Sequence, residues 1–204
     1  MNISSLTNKI AQLQENYYAI NNKKTFFKSA QKNDCAAAIT SHINIDELIH
    51  HTIYNIPQTN RIYFDYMIFK TFATEHCFER IIDHLMQITE NCIETYGSFE
   101  MHVNWNTYTI SAHERYKNIY PIFTAKCLHS KFHFSDKLTQ MHVYNMPSMI
   151  ETISSIIRPF IDPKIIGKIQ MHVKAESEQR IHNLLHPVRW SSIRDNPHCI
   201  LWEN

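Results

Sequence analysis

The sequence predicts an α/β fold, a mainly parallel sheet of about four to five strands covered by helices, on three observations. Short runs rich in β-branched and aromatic residues alternate with longer segments whose apolar residues recur at helical spacing. The tripeptide Met-His-Val occurs three times, at 101–103, 141–143 and 171–173, each time inside such a short run. Gly97, one of two glycines, falls where a helix C-cap is expected.

From Ile3 to about Tyr54 the pattern is helical and polar, with Leu6, Ile10 and Leu13 on one stripe and a basic run at Lys23, Lys24, Lys28 and Lys32. Pro57-Gln58-Thr59-Asn60 reads as a turn, and Ile62 to Phe69 as the first strand. The expected organisation is therefore a helical segment over 1–57, a main domain over 58–190 and a tail over 191–204.

Between Thr74 and Tyr96, Cys77, Phe78, Ile81, Ile82, Leu85, Ile88, Cys92 and Ile93 recur at three- and four-residue steps, which predicts an amphipathic helix closed by Gly97. Phe99 to Trp105 follows as a strand, and Ser111 to His129 as a helix bent at Pro121. The order repeats, with a strand over Lys137–Tyr144, a helix over Pro147–Ile161, a strand over Lys168–Val173 and a short helix from Ser177 to about Leu185. Strands separated by helices imply right-handed crossovers and parallel pairing.

Because side chains alternate along a strand, Phe99, Met101 and Val103 share one face, as do Met141 with Val143 and Ile169 with Met171. The expectation is an apolar floor on one sheet face, with His102, His142 and His172 on the other. Three imidazoles would suffice for zinc. Histidines packed against covering helices with locally bonded ring nitrogens are the favoured reading, no carboxylate or cysteine being evident to complete a shell, so no metal is assigned. The helix from Pro147 carries Met149, Ile150, Ile153, Ile156, Ile157, Phe160 and Ile161, a stripe wider than one supporting surface requires. Such a helix facing the floor would enclose an apolar pocket.

Composition excludes several classes. A formal net charge of +1 gives no general attraction for nucleic acid, and none is expected as a partner. Two glycines leave no room for a P-loop, a dinucleotide-binding fingerprint or a G-x-S-x-G elbow. Cys35, Cys77, Cys92, Cys127 and Cys199 are odd in number and contain no C-x-x-C pair, so a reducing, cytoplasmic setting fits best. No apolar run approaches the roughly 20 residues of a spanning helix, and the polar start lacks a signal peptide's apolar core. Ser111, His113 and Glu114 are the residue types of a hydrolase, but adjacent helical positions do not converge. His50-His51 and His76-Cys77 lack partners at ligand spacing. Arg180, Arg189, Trp190, Arg194 and Trp202 could touch a membrane surface, although simple packing is the favoured reading.

The run Tyr144-Asn145-Met146-Pro147, then Arg158-Pro159-Phe160-Ile161-Asp162-Pro163-Lys164, then Lys168-Ile169 resembles the signature of the CRAL-TRIO family. This family includes the fungal phosphatidylinositol/phosphatidylcholine transfer protein and the animal tocopherol and retinaldehyde binders. Its members carry a strand ending in Asn-x-Pro, a helix closing with Lys/Arg-Pro-Phe-Leu/Ile-Asp-Pro, and Lys-Ile opening a strand. Val103-Asn104-Trp105 and Thr109-Ile110-Ser111 extend the resemblance, which spans roughly 60 to 185.

The resemblance implies a non-enzymatic lipid-binding and lipid-transfer domain, with 147–161 as a gate helix and a membrane surface as transient partner. It implies a ligand site of Phe99, Met101, Val103, Met141, Val143, Ile153, Ile157, Phe160, Ile169 and Met171. It also implies that Lys168 meets an inositol phosphate, with Asp136 as acidic partner. The sequence departs from the fungal pattern at Phe99 and Met101, where hydroxyl side chains meet choline, and at Asn104 and Thr107, where an acidic residue and a glycine are usual. The competing expectation is a structural or assembly protein that keeps the fold with a filled pocket, and richness in Ile, Asn and Lys would suit a viral or parasite source.

Overall fold

A computed structural model describes residues 2–22 and 28–186, so Lys23, Lys24, Cys199 and the tail residues Arg189, Trp190, Arg194 and Trp202 lie outside the described residues. Three helices come first, α1 (Ile3–Asn21), α2 (Lys28–His42) and α3 (Ile45–Thr52). Asn2 and Asn44 start α1 and α3 by accepting the backbone N–H of Ser5 and Asp46. Their buried residues Leu6, Ile10, Cys35, Ile39, Leu48 and Ile49 belong to the same apolar core as the sheet.

The sheet has five strands in sequential order, β1 (Ile53–Asn55), β2 (Arg61–Asp65), β3 (Phe99–Asn104), β4 (Leu138–Tyr144) and β5 (Ile169–Met171). β1 pairs antiparallel with β2, and every other pair is parallel. The predicted mainly parallel, helix-covered sheet is thus the observed one. β1 lies in the segment expected to be wholly helical, and the strands β1 and β2 that pair with one another flank the expected boundary at 57/58.

The first predicted strand is half right. β2 stops at Asp65, and Tyr66 to Phe72 form a helix, α4. The Asp65 carboxylate accepts the backbone N–H of Met67 at 2.8 Å and so caps α4. The run misleads because α4 is buried on most sides, so Tyr66, Ile68, Phe69 and Phe72 show no polar face.

After a 3₁₀ turn at Glu75–Cys77 comes α5 (Phe78–Tyr96), which crosses β1, β2 and β3. It buries Phe78, Ile81, Ile82 and Ile93, each worth about 1.5–3 kcal/mol of apolar transfer. Gly97 closes it at φ 79°, left-handed, as its position predicted.

The predicted helix 111–129 is two helices, α6 (Ile110–Tyr116) and α7 (Ile119–His129). Pro121 does not bend a helix interior. It sits in the first turn of α7, where its missing N–H costs nothing. α8 (Phe134–Lys137) leads into β4. The predicted helix over 147–161 is shorter, α9 (Ile150–Ile157) followed by a 3₁₀ turn at Arg158–Phe160, with α10 (Pro163–Ile166) beyond. The strand expected over 168–173 is only the three residues of β5, and α11 (Lys174–Leu185) begins three residues earlier than predicted.

The register decides which side chains share a face. Met101 pairs with Met141, His102 with His142 and Val103 with Val143. The third tripeptide is displaced by two residues, since Val143 pairs with Met171, a shift that preserves the face. A bulge where Phe99 pairs with Leu138 but Glu100 with Gln140 brings both Leu138 and Met141 to the apolar side. That side is covered by α5 and α9, while Tyr63, Tyr144 and Leu184 form a smaller cluster under α11 on the other.

The two glycines should respond oppositely to alanine. Gly97→Ala places a Cβ on a left-handed residue and should cost about 1 kcal/mol, lowering the melting temperature by roughly 2–4 °C. Gly167 has φ −71° with nothing within 4 Å of an added Cβ, so Gly167→Ala should raise stability by about 0.4–1 kcal/mol. Thermal unfolding followed by circular dichroism reads both, and the same sign for both would contradict the assigned backbone.

Candidate functional site

The apolar face of β3, β4 and β5 is built from Phe99, Met101, Val103, Met141, Val143, Ile169 and Met171. Phe99, Val103 and Val143 are buried, Met101, Met141 and Ile169 are partly buried, and Met171 at the sheet edge is 43% exposed. Over this face lies α9. Ile153 is fully buried and Ile157 nearly so, and both join the core that holds Phe99 and Leu138. Phe160 points elsewhere. It is 46% exposed and stacks on Tyr120 of α7, ring centroids 5.5 Å apart.

Ile153 and Ile157 share one apolar cluster with Phe99, Met101 and Met141. Clefts of about 510 and 290 Å³ lie away from it, the first between α2, α6 and Thr74–Phe78, the second between α1, α2, α4 and α6 with Lys32, Lys70 and Arg115 on its walls.

Lys168 is turned inward. Its Nζ donates to the carbonyl oxygens of Ser135 at 2.8 Å and Leu138 at 2.6 Å, closing the end of α8 onto β4. Asp136 pairs instead with Lys164, at 2.8 Å, and that ion pair holds the Asp136 carboxyl below its ordinary range. Asp162 caps α10 by accepting the backbone N–H of Lys164. These contacts fasten the segment that follows the cover to the segment that precedes β4.

The opposite face is polar and aromatic. The His102 and His142 rings stack at 4.8 Å and 9°, and His142 and His172 at 5.3 Å and 16°. Nδ1 of His102 shares a hydrogen bond with the Tyr144 hydroxyl at 3.0 Å, and Nδ1 of His142 with Nε2 of His172 at 3.1 Å. Burial lowers the pKa of all three, with His142 a second cause at His102, which is pushed down to about 4. Glu100 stands beside His102, its Oε2 3.4 Å from Nε2. Sequence reasoning passed over this carboxylate, although two residues apart on a strand means the same face. Ser111, His113 and Glu114 do not converge: His113 is buried against the Tyr120 hydroxyl, Glu114 pairs with Lys117, and Ser111 is exposed.

The profile of the CRAL/TRIO domain family matches residues 61–189, from β2 past α11. The chain belongs to the CRAL/TRIO domain family. CRAL/TRIO proteins are lipid-binding transfer proteins, generally without enzymatic activity. The matched residues contain every site residue assigned from the sequence, and the helices α1 to α3 precede them. No curated protein matches the chain. Among solved structures, that of Sfh5 is similar at 11% identity with a TM-score of 0.44, covering 83% of this chain and 61% of that one. The chain therefore spans less than two thirds of the Sfh5 structure. No helix among the described residues of this CRAL/TRIO protein is long and apolar enough to cross a membrane.

Two measurements follow from this geometry. Lys168→Ala leaves two carbonyl oxygens without their charged donor and should cost about 2 kcal/mol, a fall of roughly 4–8 °C in melting temperature whether or not lipid is present. Unchanged melting would mean that the clamp is not formed in solution. The His102 pKa lies below its unfolded value of about 6.5, so on acidification the unfolded state takes the proton first. The stability that neutral His102 provides is complete above pH 6.5 and falls away down to pH 4, by roughly 3 kcal/mol at most. Urea unfolding of wild type and His102→Phe at pH 7.5 and 5 should show the steeper loss in wild type.

Proposed function

We propose that this chain holds one lipophile between the apolar face of β3, β4 and β5 and the segment 147–161, and exchanges it when that segment lifts at a membrane surface. The observation that carries the reading is a cover that is apolar on both sides. Ile153 and Ile157 face the floor, while Met149 is 51% exposed, Phe160 46% and Ile166, just beyond in α10, 43%. Apolar side chains gathered outward on one covering segment are what contact with a bilayer would use. Membership of a lipid-binding family supports the same reading.

The buried part of the ligand should be uncharged. The floor offers methionine, valine, isoleucine and phenylalanine side chains, and the Lys168 ammonium is committed to two carbonyl oxygens. A headgroup phosphate would have to compete with those contacts. One observation favours a different reading: Phe99, Leu138 and Ile153 are all buried in one continuous apolar core, as in a protein that keeps the fold for structural purposes.

Native mass spectrometry of the purified chain after exposure to a membrane lipid extract distinguishes the two. The expected result is one lipophile per chain in wild type and at least tenfold less occupancy in Met141→Gln, which sets a polar amide into the floor. Hydrogen exchange adds the mechanical test, because vesicles should accelerate exchange across 150–160 while β3 and β4 stay protected. A chain that remains empty, with 150–160 as protected as β3 under both conditions, would establish the structural reading instead.

A further inference from the structure

The polar sheet face carries a site that lipid binding does not use. Glu100 and His102 lie two residues apart on β3, and His142 is the register partner of His102 on β4. One donor atom from each lies within 4.8 Å of the others. Glu100 Oε2 and His102 Nε2 are 3.4 Å apart, about the separation of two ligands on a tetrahedral ion with bonds near 2.1 Å. His102 is 3% exposed, and its Nε2 is fully buried with no well-aligned hydrogen bond, the Glu100 carboxylate at 3.4 Å being its polar neighbour. Orphaned buried nitrogens are rare, because each forfeits its hydration without replacement.

The surrounding hydrogen bonds prepare both rings. In the tautomer with the proton on Nδ1, His102 donates to the Tyr144 hydroxyl and His142 donates to Nε2 of His172. Each ring is then left with a free Nε2 lone pair, and that of His102 lies beside Glu100. Metal-bound histidines are generally held in this way, by a partner on the ring nitrogen that does not bind the ion.

We infer that Glu100, His102 and His142 form a binding site for a divalent first-row transition ion of the zinc class. Two imidazoles and one carboxylate suit zinc and disfavour magnesium or calcium, which take oxygen ligands. The His102 and His142 rings are stacked at 4.8 Å and 9°, so binding requires the half-buried His142 to turn out of that stack until its lone pair meets that of His102, and solvent supplies a fourth ligand. Arg61 opposes the ion, since its Nε donates to the same Glu100 oxygen at 3.1 Å, but its side chain is 44% exposed and free to withdraw. The bound ion would pin β3 to β4 from the side away from the proposed lipid floor, so the inference does not rest on the lipid reading.

The test uses the full chain, stripped with EDTA and titrated with zinc chloride in a calorimeter at pH 7.5. One ion per chain is expected. Glu100→Gln and His142→Gln should each weaken it roughly a hundredfold, and Arg61→Met should tighten it about tenfold by removing a competing charge. X-ray absorption of the zinc form should show nitrogen and oxygen neighbours without sulfur, a readout on wild type that holds even if a variant fails to fold. Any of three results overturns the inference: no zinc binding tighter than about 100 μM, a shell containing sulfur, or binding unchanged in both ligand variants with native circular dichroism.

Discussion

The in-register parallel pairing of β3 with β4 is the constraint on which the rest depends. Once Met101 faces Met141 and His102 faces His142, alternation leaves no choice about either face of the sheet. A slip of one residue would put imidazoles under α9 and thioethers under α11. The cost would fall on both sides together, burying unsatisfied ring nitrogens in an apolar core and exposing the core's own side chains. The bulge at Phe99 belongs to this constraint, because it lets Leu138 reach the apolar core without disturbing the register above it.

The two faces are stabilised by different physics. On the apolar side, the core that α9 shares with Phe99 and Leu138 is sustained by transfer of hydrocarbon from water, which is proportional to area and tolerant of rearrangement. On the polar side, stacked rings and directed hydrogen bonds link His102, His142, His172 and Tyr144, and each hydrogen bond depends on a proton being in one place. The first kind of surface can trade one apolar partner for another at small cost. The second cannot, since losing one member leaves its neighbour's buried nitrogen unpaired.

The elements legible in the sequence were those whose pattern has one physical cause. α5 has a single apolar stripe and a glycine at its end, and β3, with β4 from Gln140 onward, alternates cleanly, so their places followed from spacing alone. α4 was hidden because a helix buried on most sides loses the periodicity that marks it, and the Asp65 cap was the remaining signal. The division between α6 and α7 was hidden by reading Pro121 as a kink rather than as a first-turn residue. That Met101, Val103, Met141, Val143, Ile169 and Met171 share one sheet face was legible by alternation, while the position of Phe160 against Tyr120 was not, because the helix assumed to orient it gives way to a 3₁₀ turn at Arg158. The inward turn of Lys168 depends on carbonyl groups some 30 residues away, which no local pattern records. Glu100 was legible by the alternation that assigned the histidines.

The way the cover is fastened has a mechanical consequence. On one side, Asn145 is held by Ser177 and Asn104, and Met146 by the carbonyl of His172. On the other, Lys164 and Lys168 tie the chain down to Asp136, Ser135 and Leu138. The stretch between is a bridge anchored at both abutments, not a door on one hinge. Such a bridge can arch or twist about its own length but cannot swing as a door does, so any displacement of it has to be taken up at Pro147–Met149 and around Ile161, between the two sets of anchors.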